Sequence, residues 1–340
     1  MNLLVRFRYS ACVSWLDESG NRAYIEALRA RLEKEAGRVV LFLGAGLSFG
    51  ASRLGRKSLA ERDEWGPLTS VTPPTDGSES GWEPPEVVIN DEGEPFPTWS
   101  RLQSRMRREL ALVPGRHQAS LNRFFRSSGP IDCAQVFKNI VGDTNYFEFL
   151  RRQFMPPSPV DSWITPSHDA LVQLDLPLLF TTNYDDLIER AYSHHGVTLT
   201  ASATAQEFLD RLHPTPTRHL VKIHGTIDRA ATIVLTRDDY AKARVERRRI
   251  YEKLRIDVEQ TTYIFIGFSL SDPNVNILLD DARLETGGQL PPSYTVQGRF
   301  DQTTDDYYRS RGINVVWLGT WDLLPSFLWA VNPTTPLSGE

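Results

Sequence analysis

The chain has 340 residues, 40% hydrophobic and 24% charged, a balance that excludes wholesale disorder, collagen-like and coiled-coil architectures. Lys and Arg number 38 against 43 Asp and Glu, a net charge of -5, so neither direct nucleic-acid binding nor attachment to an anionic membrane is expected. Cys12 and Cys133 are the only cysteines, too few for a disulfide scaffold or for a four-cysteine zinc ribbon built from this chain alone.

At ~100–200 residues per domain the length admits one large domain or two ordinary ones. No stretch approaches the ~20 apolar residues that span a bilayer. Met1–Trp15 carries Arg6 and Arg8 where a leader would be apolar, so no signal peptide is predicted and a reducing cytoplasm is the expected location. After the candidate caps Asp17 and Ser19, the spacing of Tyr24, Ile25, Leu28 and Leu32 predicts a helix that Gly37 ends. Arg38–Leu43 reads as a strand buried on both faces, stopping at Gly44-Ala45-Gly46. Residues 72–97 hold six prolines, seven acidic residues and no Lys or Arg, which predicts an exposed acidic insertion over about 52–96 with a short hairpin near Val87-Val88-Ile89. Residues 98–160 read as a helical subdomain. Within it, residues 101–126 carry seven arginines against the single Glu109, read as a solvated helix face in preference to an anion-binding or partner surface.

From residue 165 the pattern alternates. Strands are predicted at 176–181, 219–223, 232–235, 263–268, 293–296 and 314–318, and helices at 185–195, 205–212, 237–260, 272–285, 302–311 and 321–331. In the 237–260 run Tyr240, Ala243, Ile250 and Leu254 share one face, and Arg247, Arg248 and Arg249 are expected mostly to look outward. No internal repeat is visible. This βα alternation predicts an α/β fold, a Rossmann-like parallel sheet with helices on both faces, in one domain over 1–340 whose excess length is the helical insertion.

In such sheets ligands bind beyond the carboxyl ends of the strands. Four ends are polar: Gly44-Ala45-Gly46-Leu47-Ser48, Thr181-Thr182-Asn183-Tyr184-Asp185-Asp186, His224-Gly225-Thr226 and Ser269-Leu270-Ser271-Asp272. The glycine turn is either a tight strand exit or a place where backbone N–H groups approach a pyrophosphate. No third glycine and no acid ~20 residues on complete a dinucleotide fingerprint, which disfavours hydride transfer. His224 alone is a core or capping histidine as readily as a base. With the Asn183 amide and the Asp185 carboxylate, it suits cleavage at a sugar carbon, where an oxocarbenium-like centre develops and water attacks. The histidines are scattered and no metal-ligand spacing occurs, so no metal is expected.

Taken in order, Gly44-Ala45-Gly46-x-Ser48, Thr182-Asn183-x-Asp185, His224-Gly225 and Gly267-Phe268-Ser269-Leu270 resemble the sirtuin superfamily, and more closely its bacterial antiphage-defence branch than the protein deacetylases. Pro97-Thr98-Trp99-Ser100-Arg101-Leu102 resembles that branch's proline, tryptophan and leucine segment, here displaced by the acidic insertion. The resemblance implies NAD as substrate and assigns Gly44, Ala45, Gly46 and Ser48 to its phosphates and adjoining ribose. Gly267, Ser269 and Leu270 fall to the adenosine side, and Thr182 and Asp272 join the cofactor contacts. Asn183 and Asp185 fall to the nicotinamide ribose and nicotinamide, and His224 to the role of base. The missing zinc ribbon and the Thr182 in place of a glutamine argue against acyl-lysine. What the resemblance then implies is a regulated NAD glycohydrolase releasing nicotinamide and ADP-ribose in abortive antiphage defence, working as a homo-oligomer or with a HerA-type ATPase or Argonaute supplied in trans. The alternatives are a non-catalytic NAD or ADP-ribose sensor and, third, an ADP-ribosyl transferase.

Overall fold

The computed structural model describes residues 13–16, 20–48, 96–97, 99–113, 117–155, 164–211, 218–270 and 272–335. Cys12, the Asp17 and Ser19 caps, the acidic insertion up to residue 95 with its hairpin, Thr98 and Ser271 lie outside the described residues.

Helix α1 (Asn21–Glu35) buries Ile25, Leu28 and Leu32 and leads into β1 (Val39–Leu43). Then come α2 (Trp99–Ala111), α3 (Gln118–Ser127) and α4 (Pro130–Phe154), the last kinked where Gly142 takes φ +80°. Helix α5 (Pro166–Gln173) precedes β2 (Leu178–Thr181), α6 (Leu187–His194), β3 (Thr200–Ser202), α7 (Ala205–Asp210) and β4 (His219–Lys222). The chain continues through α8 (Arg237–Glu246), α9 (Arg248–Val258), β5 (Thr262–Ile266), α10 (Pro273–Glu285), β6 (Ser293–Gln297), α11 (Gln302–Ser310), β7 (Ile313–Trp317) and α12 (Leu324–Val331).

Among the described residues the strands form one sheet in the order β3-β4-β2-β1-β5-β6-β7, every neighbouring pair parallel. Period-two alternation divides β1 between two cores. Val39, Leu41 and Leu43 face a layer built from α1, α5, α6 and α12, through residues such as Leu28, Leu171, Ile188 and Phe327. Val40 and Phe42 face Ile250 and Leu254 of α9, Val275 and Leu278 of α10 and Tyr308 of α11. Covering both faces explains why the strands read as continuous apolar runs. The Rossmann-like α/β expectation holds.

Helices α2 to α4 share a core of their own, in which Leu102, Met106, Leu110, Phe137, Phe149 and Leu150 meet Tyr184, Ile227, Ile233 and Leu235. The helical layer therefore packs onto the loops that leave β2 and β4. Among the described residues no helix is long and apolar enough to cross a membrane.

Three expectations need correction. Residues 232–235 form no strand: a single tight turn ends at Thr232, and the buried run Ile233, Val234 and Leu235 is apolar because it threads between the helical layer and the sheet. Strand β3 went unseen, since Thr-Ala-Ser at a sheet edge carries no hydrophobic run. The 237–260 run is two helices broken at Arg247, whose backbone leaves the helical region at φ -108° and ψ 18°. Arg248 and Arg249 are exposed as expected, but Arg247 is buried. Its guanidinium donates to the carbonyls of Ile223 and Thr232.

Candidate active site

The four polar strand ends belong to β4, β2, β1 and β5, consecutive neighbours in the sheet, so all four loops leave the same edge side by side. From β1 the chain leads toward β2 and from β5 toward β6, on opposite sides, which makes the β1/β5 boundary the topological switch point where a crevice is expected.

At that boundary two loops touch backbone to backbone. Gly44 N–H donates to the Ile266 carbonyl at 2.9 Å and Gly46 N–H to the Gly267 carbonyl at 3.0 Å. A Cβ at Gly44 would fall 2.4 Å from the Gly267 oxygen, and one at Gly46 2.4 Å from the Gly267 Cα. Gly267 itself takes φ +61° and has no room for a Cβ either. Glycine is required here for the loops to interlock, and both glycine N–H groups are already spent on protein carbonyls. Leu270 beyond it is a non-glycine residue at φ 51°, a strained position of the kind held at functional loops. Ser48 is 3% exposed, and its Oγ has no hydrogen-bond partner among the described residues.

His224 follows β4 by two residues and is 2% exposed. Its ring is stacked near Tyr184, with centroids 6.4 Å apart, and meets Tyr240 edge-on at 5.4 Å. His224 Nε2 lies 2.8 Å from Asp272 Oδ2, close enough for charge pairing though not aligned as a straight hydrogen bond. Asp272 reaches that position from the loop after β5. Its Oδ1 caps α10 by accepting from the Val275 N–H at 2.9 Å, and its Oδ2 accepts from the Tyr240 hydroxyl at 2.9 Å. Burial acts to raise the Asp272 pKa, but His224, the Val275 N–H and the Tyr240 hydroxyl outweigh it and hold the carboxyl below its usual range. A carboxylate so placed favours the imidazole proton on Nε2 and leaves Nδ1 as the basic nitrogen. Nδ1 has no hydrogen-bond partner among the described residues.

Asn183 is fixed from below. Thr181 Oγ1 donates to the Leu43 carbonyl at 3.1 Å and accepts the Asn183 N–H at 3.0 Å. The Asn183 Nδ2 is buried with no partner among the described residues. Asp185 is 6% exposed and accepts from the Leu187 N–H, two residues on, at 3.1 Å. Burial pushes its carboxyl up to about 6, against the pull of Lys222 and the Leu187 N–H.

Asp272, expected among the cofactor contacts, lies against His224, and the Asp185 oxygen seen in contact accepts the Leu187 N–H. Reading the sequence missed Tyr184, Tyr240, Arg247 and Lys222 as parts of this site. Lys222 had a visible signal, a charge inside the apolar run Leu220-Val221-Lys222-Ile223. Arg247 and Tyr240 had none, because their partners lie 24 and 32 residues away in sequence. No group of three His, Cys, Asp or Glu side chains able to hold a metal ion occurs among the described residues.

A seven-stranded parallel sheet with a glycine-locked switch point and helices on both faces defines a Rossmann-like α/β domain. Residues 177–316 match the sequence profile of the SIR2-like domain family. The match contains Thr182, Asn183, Asp185, His224, Gly267, Ser269, Leu270 and Asp272, while Gly44, Ala45, Gly46 and Ser48 precede it. The chain is 27% identical over 227 residues to defense-associated sirtuin 2 of Bacillus subtilis, which covers 65% of the chain and 21% of that relative. It is 31% identical over 173 residues to the NAD(+) hydrolase ThsA of Enterococcus faecium, 49% of the chain and 34% of the relative. Against the NAD(+) hydrolase ThsA of Bacillus cereus it is 30% identical over 193 residues, 55% and 37% respectively. The chain therefore spans between about a fifth and about a third of the length of these relatives.

Proposed function

We propose that this chain is an NAD+ glycohydrolase that releases nicotinamide and ADP-ribose, acting in the bacterial cytoplasm as a regulated abortive effector of antiphage defence. The observation that carries the reading is the pairing of Asp272 with His224, on the loop next to that of Asn183, whose buried Nδ2 has no partner among the described residues, at the strand ends where the SIR2-like resemblance puts the nicotinamide ribose. The names of the relatives, NAD(+) hydrolase and defense-associated sirtuin, support it.

The chemistry follows from the charges. Nicotinamide leaves a cationic precursor as a neutral molecule, so the leaving group needs no acid. The C1′–N bond breaks with its electron pair passing to the ring, and positive charge builds at the ribose carbon. Asp185 contributes negative charge near that centre in its ionised form, and Asn183 Nδ2 holds a ribose hydroxyl or the incoming water. Water adds at C1′ and loses a proton to His224 Nδ1, while Asp272 stabilises the imidazolium. Three buried polar atoms on three neighbouring loops, Ser48 Oγ, Asn183 Nδ2 and His224 Nδ1, have bonding capacity to offer a polar substrate. Ser48, Thr182, Ser269 and the backbone of 267–270 take the phosphates and adenosine in this reading. The glycines Gly44 and Gly46 contribute by shaping the turn, with Ala45 between them.

Because unrestrained turnover would exhaust the host's NAD, activity depends on assembly, either as a homo-oligomer or with a partner such as a HerA-type ATPase or an Argonaute. Nicotinamide release measured across oligomeric states tests the reading. His224→Ala and Asn183→Ala should each lose at least 100-fold, and a wild-type chain inert toward NAD in every assembly state refutes it.

A further inference from the structure

A lysine buried behind the site is not explained by the chemistry above. Lys222 is the last residue of β4, two positions before His224, and is 2% exposed. Its Nζ donates to the Asp185 carbonyl at 2.6 Å, to Glu189 Oε1 at 2.8 Å and to Thr226 Oγ1 at 3.4 Å. The three acceptors sit on the loop after β2, on α6 and on the loop after β4. All three ammonium protons are accounted for, and the one counter-charge in contact, Glu189, is about a quarter exposed.

Burying an ammonium costs several kcal/mol unless its bonds are complete, so an apolar side chain would serve the core of β4 at lower cost. Geometry indicates what the charge does instead. The Asp185 carbonyl ends the short segment that presents Asn183, and Thr226 closes the turn that presents His224. Thr226 Oγ1 in turn donates to Asp228 at 2.6 Å, and Thr226 N–H donates to Thr232 Oγ1 at 3.1 Å, so that turn is itself braced. A backbone bond from Ile227 N–H to the Tyr184 carbonyl at 2.9 Å runs parallel to the lysine bridge. One bond permits the loops to pivot about it, whereas a second, offset link removes that freedom. We infer that Lys222 is a positioning residue, bridging the Asn183 loop to the His224 loop so that amide and imidazole address the same substrate atom. This rests on the proposed NAD hydrolysis only for its kinetic consequence.

The test uses the full chain and Lys222→Met, which keeps the unbranched stem of the side chain to its fourth atom and removes its donors. In nicotinamide release kcat should fall at least 30-fold with KM within about threefold. Hydrogen–deuterium exchange should quicken at least tenfold in residues 182–187 and 223–228 together, whose amides at Thr182, Asn183, Leu187 and Ile227 are bonded in the native fold. Strands β6 and β7 should exchange as in the wild type. Unchanged exchange in the two loops, an equal rise in β6 and β7, or a kinetic loss confined to KM overturns the inference. Should Lys222→Met fail to fold, Glu189→Ala removes one of the three acceptors from a partly exposed helix position. The same local pattern at smaller size is then expected, and wild-type exchange in both loops is the refuting result. A wild-type chain inert toward NAD refutes the proposed function alone, and the exchange comparison still decides the role of Lys222.

Discussion

Asp185 offers a quantitative trade between stability and function. Its carboxyl is raised by burial from 3.8 to about 6. The unfolded chain therefore releases this proton first as pH rises, and the folded state binds more protons between about pH 4 and 6. Across that window folding stability falls, and above it the full ionisation cost is present. Two pKa units correspond to roughly 3 kcal/mol. Asp185→Asn removes the charge and keeps an oxygen to accept the Leu187 N–H. That net cost already includes the attraction of the ionised carboxyl to Lys222 and the Leu187 N–H. The variant should be up to about 3 kcal/mol more stable than wild type at pH 8, with the gain vanishing toward pH 4. Urea unfolding followed by circular dichroism at pH 4, 6 and 8 measures it. Nicotinamide release should fall at least tenfold in the same variant. A variant no more stable than wild type at pH 8, or a gain independent of pH, refutes the argument that the protein tolerates a costly buried charge at its site.

Asp272→Asn should leave stability within about 1 kcal/mol at neutral pH, because Asn still caps α10. It should cost about 10²-fold in nicotinamide release, since a contact of 2.8 Å has a Coulomb ceiling near 6 kcal/mol at an effective dielectric of ~20 and a neutral amide forfeits about half of that. Wild-type kinetics in this variant would remove the His-Asp pair from the mechanism. The carboxyl of Asp272 is depressed in the fold, so its contribution to stability is present above about pH 4 and is lost below it. The wild type should therefore lose stability more steeply than Asp272→Asn in acid unfolding. Gly267→Ala places a Cβ 2.4 Å from the Gly46 Cα at φ +61° and should cost about 3 kcal/mol or more by thermal or urea unfolding. A cost under 1 kcal/mol would show that the loops separate easily.

How much of this was legible in the sequence depended on whether a residue's surroundings are local. The strands of the sheet core announced themselves because both faces of β1 and β5 are buried, so each reads as an unbroken apolar run. The polar ends of β1, β2, β4 and β5 were legible for the same reason, as interruptions of those runs. Residues 232–235 misled because a buried crossing segment has the composition of a strand without its pairing. Arg247 misled because helical periodicity assigns an outward direction only while the helix continues, and here it breaks at that residue. The pairing of Asp272 with His224 joins the loops of two strands that are third neighbours in the sheet, and that order is invisible before the topology is known.

The glycine turn carries the more general lesson. A glycine pair after a first strand invites the reading that backbone N–H groups cradle a phosphate. Here the N–H groups of Gly44 and Gly46 point to the carbonyls of Ile266 and Gly267, and their missing side chains leave space for the β5 loop. The glycines thus bring the Ser48 segment and the 267–270 segment to one place, which any ligand at the switch point requires whatever its charge. Under the proposed function, discrimination for a nicotinamide riboside falls to groups with bonding capacity left over among the described residues: Ser48 Oγ, Asn183 Nδ2 and His224 Nδ1. It follows that substitutions at the glycines should lower stability and binding together. Changes at Asn183 and His224 should abolish turnover in a chain that folds normally, and that separation distinguishes scaffold from chemistry at this site.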